Sequence, residues 1–165
     1  MNIIDTKNIY TYSKLIKDIK MLKEIYPFLS IKSIGKSVLD KSIKVIKIGE
    51  GKKEIFYSAT YHANEWITSL VLMKFVEEVC KAYTENKDIY KYNIKTLIKD
   101  ITLYVVPMVN PDGVDLVNGK LENSEVLRQI KKISNEYSNI TYPNGWKANI
   151  KGVDLKIYQP ICKVL

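Results

Sequence analysis

Apolar residues recur at helical spacing in TYSKLIKDIKMLKEIY (11–26). Leu15, Ile16, Ile19, Leu22 and Ile25 fall on one stripe, while Lys14, Lys17, Asp18 and Lys20 lie mostly off it. This predicts an amphipathic helix ended by Pro27, which lacks the amide hydrogen a continuing helix needs. The period then shortens. LSIKSIGKSV (29–38) and SIKVIKIG (42–49) alternate partially on either side of a short polar Leu-Asp-Lys connection, predicting an antiparallel hairpin with one buried face. KEIFYSAT (53–60) is a more continuous apolar run and predicts a more central strand. From Glu65 to Tyr83 the helical period returns. Lys74, Glu77, Glu78 and Lys81 form its one polar edge, so this helix is expected deep against a sheet.

Further along, NKDIYKYNIKTLIKD (86–100) predicts another helix. ITLYVVPMVN (101–110) predicts a buried strand parallel to 53–60, because a helical crossover separates the two. Asn110, Pro111, Asp112 and Gly113 predict a turn that shapes a site without supplying catalytic groups. Residues 123–137 are weakly helical, and 141–165 read as mostly loop, with Pro143, Gly145, Gly152 and Pro160. After the first helix the order β-β-β-α-α-β indicates an α/β fold. Its mixed sheet starts with an N-terminal antiparallel hairpin and carries helices on both faces.

The 165 residues fit one domain, and 46% hydrophobic with 27% charged residues is ordinary for a globular chain. The net charge of +8 comes from lysines spread along the chain, among them 14, 17, 20, 23, 32, 36, 41, 44, 47, 52 and 53. A solvated surface accounts for them, and no basic block, zinc knuckle or stacking motif points to nucleic acid. Lysines interrupt every apolar stretch of the N-terminus, which therefore reads as neither a signal peptide nor a membrane span. Two cysteines cannot build a disulfide framework. Cys80 lies in the apolar helix pattern, so a buried thiol in a reducing compartment, and hence a cytoplasmic location, is expected; Cys162 lies in the loop-rich tail.

YHANEW (61–66) holds the only histidine. It falls where a strand ends and a helix begins, the place where ligands bind in open α/β sheets. With Asn64 capping the helix, Glu65 occupies the first turn, where the helix dipole favours a negative charge. His62 in the loop and Glu65 one turn on can face a common point, and both are suitable zinc ligands. A glutamate three residues after a histidine is also an ordinary way to start a helix, so the spacing alone leaves both readings open.

The segment TYHANEWITSLVLMKFVEE resembles the zinc-binding signature of the zinc carboxypeptidases, the carboxypeptidase A-like metallopeptidases. YVVPMVNPDGVDLV (104–117) is similar to the family's next landmark, a buried strand running into Asn-Pro-Asp-Gly. GWKANIKGVDL (145–155) resembles the segment leading to the family's substrate-binding residues, in wording closest to bacterial members that cut γ-D-glutamyl and diamino-acid units of cell-wall peptides. The resemblance implies a carboxypeptidase-like (phosphorylase/hydrolase-like) fold, a zinc cofactor with His62 and Glu65 as its first two ligands, and a peptide or cell-wall peptide substrate. It places Lys147 where the family commonly carries an oxyanion-stabilising arginine; a lysine supplies the charge but not the planar fork. A solvated loop lysine is the alternative for that position.

The resemblance covers about residues 10–155, so 1–165 reads as a partial catalytic domain with an unmatched tail, 156–165. The family's third zinc ligand is a histidine, and this chain has no second one. The family's general-base glutamate, a substrate-contacting tyrosine and, at the positions of Lys156 and Ile157, an asparagine and often an arginine are also unmatched. The expectations are a zinc-dependent peptidase whose chain is inactive alone, or a non-enzymatic peptide- or muropeptide-binding relative. A half-domain also leaves a sheet edge unpaired, which favours self-association.

Overall fold

The computed structural model describes residues 2–156. Helix α1 spans Tyr12–Ile25, with the Thr11 hydroxyl accepting from the Lys14 amide at its start. Leu15, Ile19 and Leu22 are buried, but Ile25 is half exposed and Asp18 is buried in its stead. Asp18 accepts a 2.9 Å hydrogen bond from the Tyr10 hydroxyl. Burial pushes its carboxyl above the ordinary range despite that bond.

Strands β1 (Ser30–Lys36) and β2 (Ser42–Ile48) form the expected antiparallel hairpin, with Ser30 opposite Lys47 and Lys36 opposite Ser42. Strand β3 is Lys53–Ser58, and a 3-10 turn, Ala63–Glu65, leads into helix α2, Trp66–Glu85. Met73, Val76 and Cys80 of α2 are fully buried. Burial, reinforced by nearby Glu77, pushes the Cys80 thiol up to about 12. Asn86 ends α2 in the left-handed region at φ 53, its amide reaching back to Ala82 and Tyr83 carbonyls.

Residues 86–100 are not one helix. They form two short strands, β4 (Asp88–Ile89) and β5 (Tyr92–Asn93), followed by helix α3, Ile94–Asp100. The reversal sits at Tyr90, which has φ 57 and is 98% exposed, so its ring contributes nothing to a buried stripe. Asn93 then caps α3 by accepting from the Thr96 amide at 3.0 Å. Strand β6 is Ile101–Val106. Asn110 to Gly113 do not form an isolated turn either. Pro111 opens helix α4, Pro111–Val117, with Asn110 as its cap, since a fixed proline φ suits a first helical position as well as a turn. Helix α5 is Ser124–Ser134.

The sheet order is β1-β2-β6-β3, with β2 antiparallel and β3 parallel to β6. The sheet is therefore mixed, as its element order indicates. However, β6 takes the central place expected of 53–60. Among the described residues β3 pairs on one side only, and its Phe56 and Tyr57 are about half exposed. A continuous apolar run signals burial on both faces; here the chain returns through α2 and α3 to insert β6 between β2 and β3. Ile46, Ile48, Leu103 and Val105 form the sheet's core face, packed with α1, α2 and α3. A second cluster joins Leu116, Ile130, Trp146 and Ile150 to Ala63, beside the histidine. Among the described residues no helix is long and apolar enough to cross a membrane.

Candidate metal centre

The backbone reverses sharply where β3 gives way to the histidine loop. Thr60 has φ 57, an uncommon conformation for a β-branched residue that costs on the order of 1–3 kcal/mol. Its surroundings hold it there. The Thr60 amide donates to the Thr68 hydroxyl at 3.0 Å, and its own hydroxyl lies 2.8 Å from Thr68 Oγ1 and 2.5 Å from Ser69 Oγ. Ser69 in turn donates to the Pro107 carbonyl at 2.6 Å, tying the start of α2 to the end of β6.

Asn110 fixes the loop from the other side. Its side-chain amide donates to the Tyr61 carbonyl at 3.0 Å and to the Ala148 carbonyl at 3.1 Å, while its oxygen caps α4. The Ala63 amide donates to the Lys147 carbonyl at 2.9 Å. Gly113 lets α4 press against this loop, because a Cβ there would meet Ala63 Cβ and both Asn110 side-chain atoms at 2.7 Å. The residues of the Asn-Pro-Asp-Gly segment thus shape the loop through contacts rather than through reactive groups.

His62 and Glu65 are brought together. His62 Nδ1 and Glu65 Oε1 lie 2.8 Å apart, with the imidazole mostly buried and the carboxylate half exposed. Glu65 is not inside α2; it is the residue before it, and Asn64 makes no cap bond. The three-residue 3-10 turn, not an asparagine cap, sets the spacing that turns Glu65 back toward the imidazole. Lys147 is exposed, and its main chain rather than its ammonium group touches the histidine loop.

One further residue of the site escapes sequence reasoning. Asp154 Oδ1 lies 3.6 Å from His62 Nε2, on the ring's opposite side from Glu65. The turn that delivers it is built by Asn149, whose side-chain oxygen accepts from the Lys151 and Val153 amides at 2.9 and 3.0 Å. Buried Trp146 donates to the Asn149 carbonyl, and Gly152 supplies the positive φ of 79. The signal lay in the GVDL landmark, but only the folded loop shows which of its residues faces the imidazole.

A nitrogen and a carboxylate oxygen converging on one point, with a second carboxylate behind the ring, fit a divalent metal as a donor set. They amount to part of a coordination shell: among the described residues no three His, Cys, Asp or Glu side chains group as a metal ion needs. Ile157 and Cys162 lie outside the described residues.

Residues 15–156 match the family model described as zinc carboxypeptidase. The chain is 44% identical over 147 residues to gamma-D-glutamyl-L-diamino acid endopeptidase 1 of Lysinibacillus sphaericus, covering 88% of this chain and 36% of that protein. It is 39% identical over 158 residues to the protein YqgT of Bacillus subtilis, covering 92% and 40%. Mouse mast cell carboxypeptidase A is 35% identical over 97 residues, 57% of this chain and 22% of that one. Among solved structures, bovine thrombin-activatable fibrinolysis inhibitor, bound to tick carboxypeptidase inhibitor, superposes with a TM-score of 0.61 at 22% identity, over 86% of this chain and 37% of that one. A crystal structure of thrombin-activatable fibrinolysis inhibitor gives 0.65 at 19% identity, over 90% of this chain and 32% of that one. The chain thus spans less than half the length of these relatives. The match along nearly its whole sequence, on the fold described above, places it in the zinc carboxypeptidase family.

Proposed function

We propose that this chain carries part of a zinc metallopeptidase centre acting on peptide or cell-wall peptide amide bonds. In it His62 and Glu65 serve as two metal ligands. The single observation that carries the reading is the 2.8 Å approach of His62 Nδ1 to Glu65 Oε1 with Asp154 behind the ring. With Nδ1 turned to a metal shared with Glu65, the ring hydrogen would sit on Nε2, the side on which Asp154 stands. A zinc ion held by His62 and Glu65 would offer a bound water of lowered pKa and a Lewis acid for the scissile carbonyl. Lys147, exposed next to the histidine loop, is the residue that would offer positive charge to a developing oxyanion, as a point charge rather than a bidentate clamp. The identity to a γ-D-glutamyl-diamino acid endopeptidase supports a cell-wall peptide as substrate class.

With two of the usual three protein ligands, the 165-residue chain by itself binds zinc weakly and does not turn over peptide. Calorimetric zinc titration of the chain and of His62→Ala tests this. Weak binding that disappears in the variant is the expected result. Equal binding by both proteins, or zinc-dependent hydrolysis of a γ-D-glutamyl-diamino acid peptide by the isolated chain, contradicts the reading. Peptide affinity that survives both chelation and the loss of His62 identifies a non-enzymatic binding module instead.

A further inference from the structure

Lys32, Lys47, Lys95 and Lys99 lie far apart in sequence yet line one groove of about 550 Å³. Glu50 is the only acidic residue among its walls. Some surface lysines elsewhere are neutralised, Lys14 by Asp5, Lys36 by Asp40, Lys41 by Asp112 and Asp115, Lys74 and Lys81 by Glu77 and Glu78, and Lys87 by Glu85, while others, such as Lys7 and Lys120, stand exposed outside the groove. Among the described residues none of the four groove lysines has an ion-pair partner. Lys99 also sits in the last turn of α3, where a cation suits the helix end.

The walls are held independently of any ligand. Gly49, at φ +85, and Gly51 press the β2–β3 turn onto α3, and a Cβ at Gly49 would lie 2.5 Å from the Ile101 carbonyl oxygen. The Lys23 ammonium group donates to the Pro27 carbonyl at 2.7 Å and pins the segment before β1. Phe28 in that segment packs against Tyr83 with ring centroids 4.5 Å apart, and Phe28 remains 37% exposed. The groove is also remote from the histidine. It opens where β2 ends, and because β2 runs antiparallel and β3 parallel to β6, that end of the sheet is opposite the one from which β3 enters the His62 loop.

We propose that this groove is a second ligand site, taking a phosphate-bearing small molecule. Its phosphates meet the four lysines, and its ring or apolar part lies on Phe28 and Tyr83. Ammonium groups act as point charges suited to multiply charged phosphate, and uncompensated cations in one groove raise the local concentration of anions. The assignment stands apart from the metal centre and does not depend on it.

The test is calorimetric titration of the full chain with ATP, tripolyphosphate and adenosine in low-salt buffer. ATP is expected to bind more tightly than tripolyphosphate, and adenosine not measurably. The double variant Lys95→Gln/Lys99→Gln changes two exposed side chains and is expected to weaken ATP binding at least tenfold. A charge-matched control at the exposed Lys7→Gln/Lys120→Gln, away from the groove, is expected to weaken it less than threefold. Equal losses in the two variants would reduce the effect to net charge and overturn the site. Absence of binding by both phosphate probes overturns it as well, and ATP binding no tighter than tripolyphosphate removes the aromatic contact.

Discussion

Glu77 is the most heavily engaged side chain of α2. Fully buried, it accepts from the Ile3 amide at 2.5 Å and lies 2.7 Å from Lys74 and 3.3 Å from Lys81. Burial alone would raise its pKa. The hydrogen bonds from Lys74 and from Ile3 outweigh that and hold it below the ordinary carboxylate value. A carboxyl whose folded pKa is depressed contributes stability that is present above its ordinary pKa and lost as pH falls through the lowered folded value. Glu77→Gln is therefore expected to cost about 2 kcal/mol at neutral pH, the scale of a lost charged hydrogen bond and below that of a fully buried pair, because both lysines keep some solvent. In urea denaturation the gap between the two proteins should shrink steadily once the pH drops below the ordinary carboxylate range. A gap that stays constant into that acidic range would remove the ion pair as its cause. Glu77 belongs to the polar edge legible in the sequence, and it is nonetheless buried. Periodicity identifies a polar stripe but not that the N-terminal segment crosses over it.

At the level of elements, the proposed metal centre depends on how closely α4 approaches the histidine loop. Gly113 has no room for a Cβ, so Gly113→Ala forces either Ala63 or the Asn110 amide to move. Overpacking of this kind costs about 1–3 kcal/mol. The same displacement should loosen the Asn110 bonds to Tyr61 and Ala148 and weaken zinc binding along with stability. Thermal melts and zinc titration of the variant measure both, and a variant with unchanged melting and unchanged zinc affinity would show that this contact does not position the loop. A second clamp works at the far side of α4. Asp112 accepts from the Leu39 amide at 3.0 Å, and Asp115 holds Lys41 at 2.7 Å and accepts from the Tyr12 amide. The hairpin and α1 are thereby tied to the helix that supports the site. The elements themselves were largely legible: α1, the hairpin, α2 and the parallel pairing of two strands follow from period and connection length. The short β4–β5 reversal and the helix beginning at Pro111 were not, because a few turn-forming residues fit several local structures and the choice among them rests on what packs alongside.

For the whole molecule, the described sheet ends on an open strand. Beside β3, the α2 residues Ile67, Val71 and Phe75 are exposed to between 39% and 64%, and with Tyr57 they form a contiguous apolar surface. An unpaired edge next to exposed apolar side chains recruits another chain. We propose that the isolated 165-residue chain associates with itself through this face. Sedimentation velocity should show mass rising with concentration, and Val71→Lys, which places a charge at the most exposed of these positions, should reduce it. A chain that sediments as a monomer at high micromolar concentration would rule this out.

By itself, the sequence determined the α/β class, the hairpin, the parallel crossover and the family, and it singled out His62 and Glu65 as candidates, because each is written in short-range spacing or in contiguous motifs. The tertiary structure alone decided which strand is central, that Asp154 stands behind the imidazole, and that Lys32, Lys47, Lys95 and Lys99 share one groove. These depend on which segments the chain brings side by side. That is set by the summed packing of distant apolar faces, and no local pattern of residues encodes it.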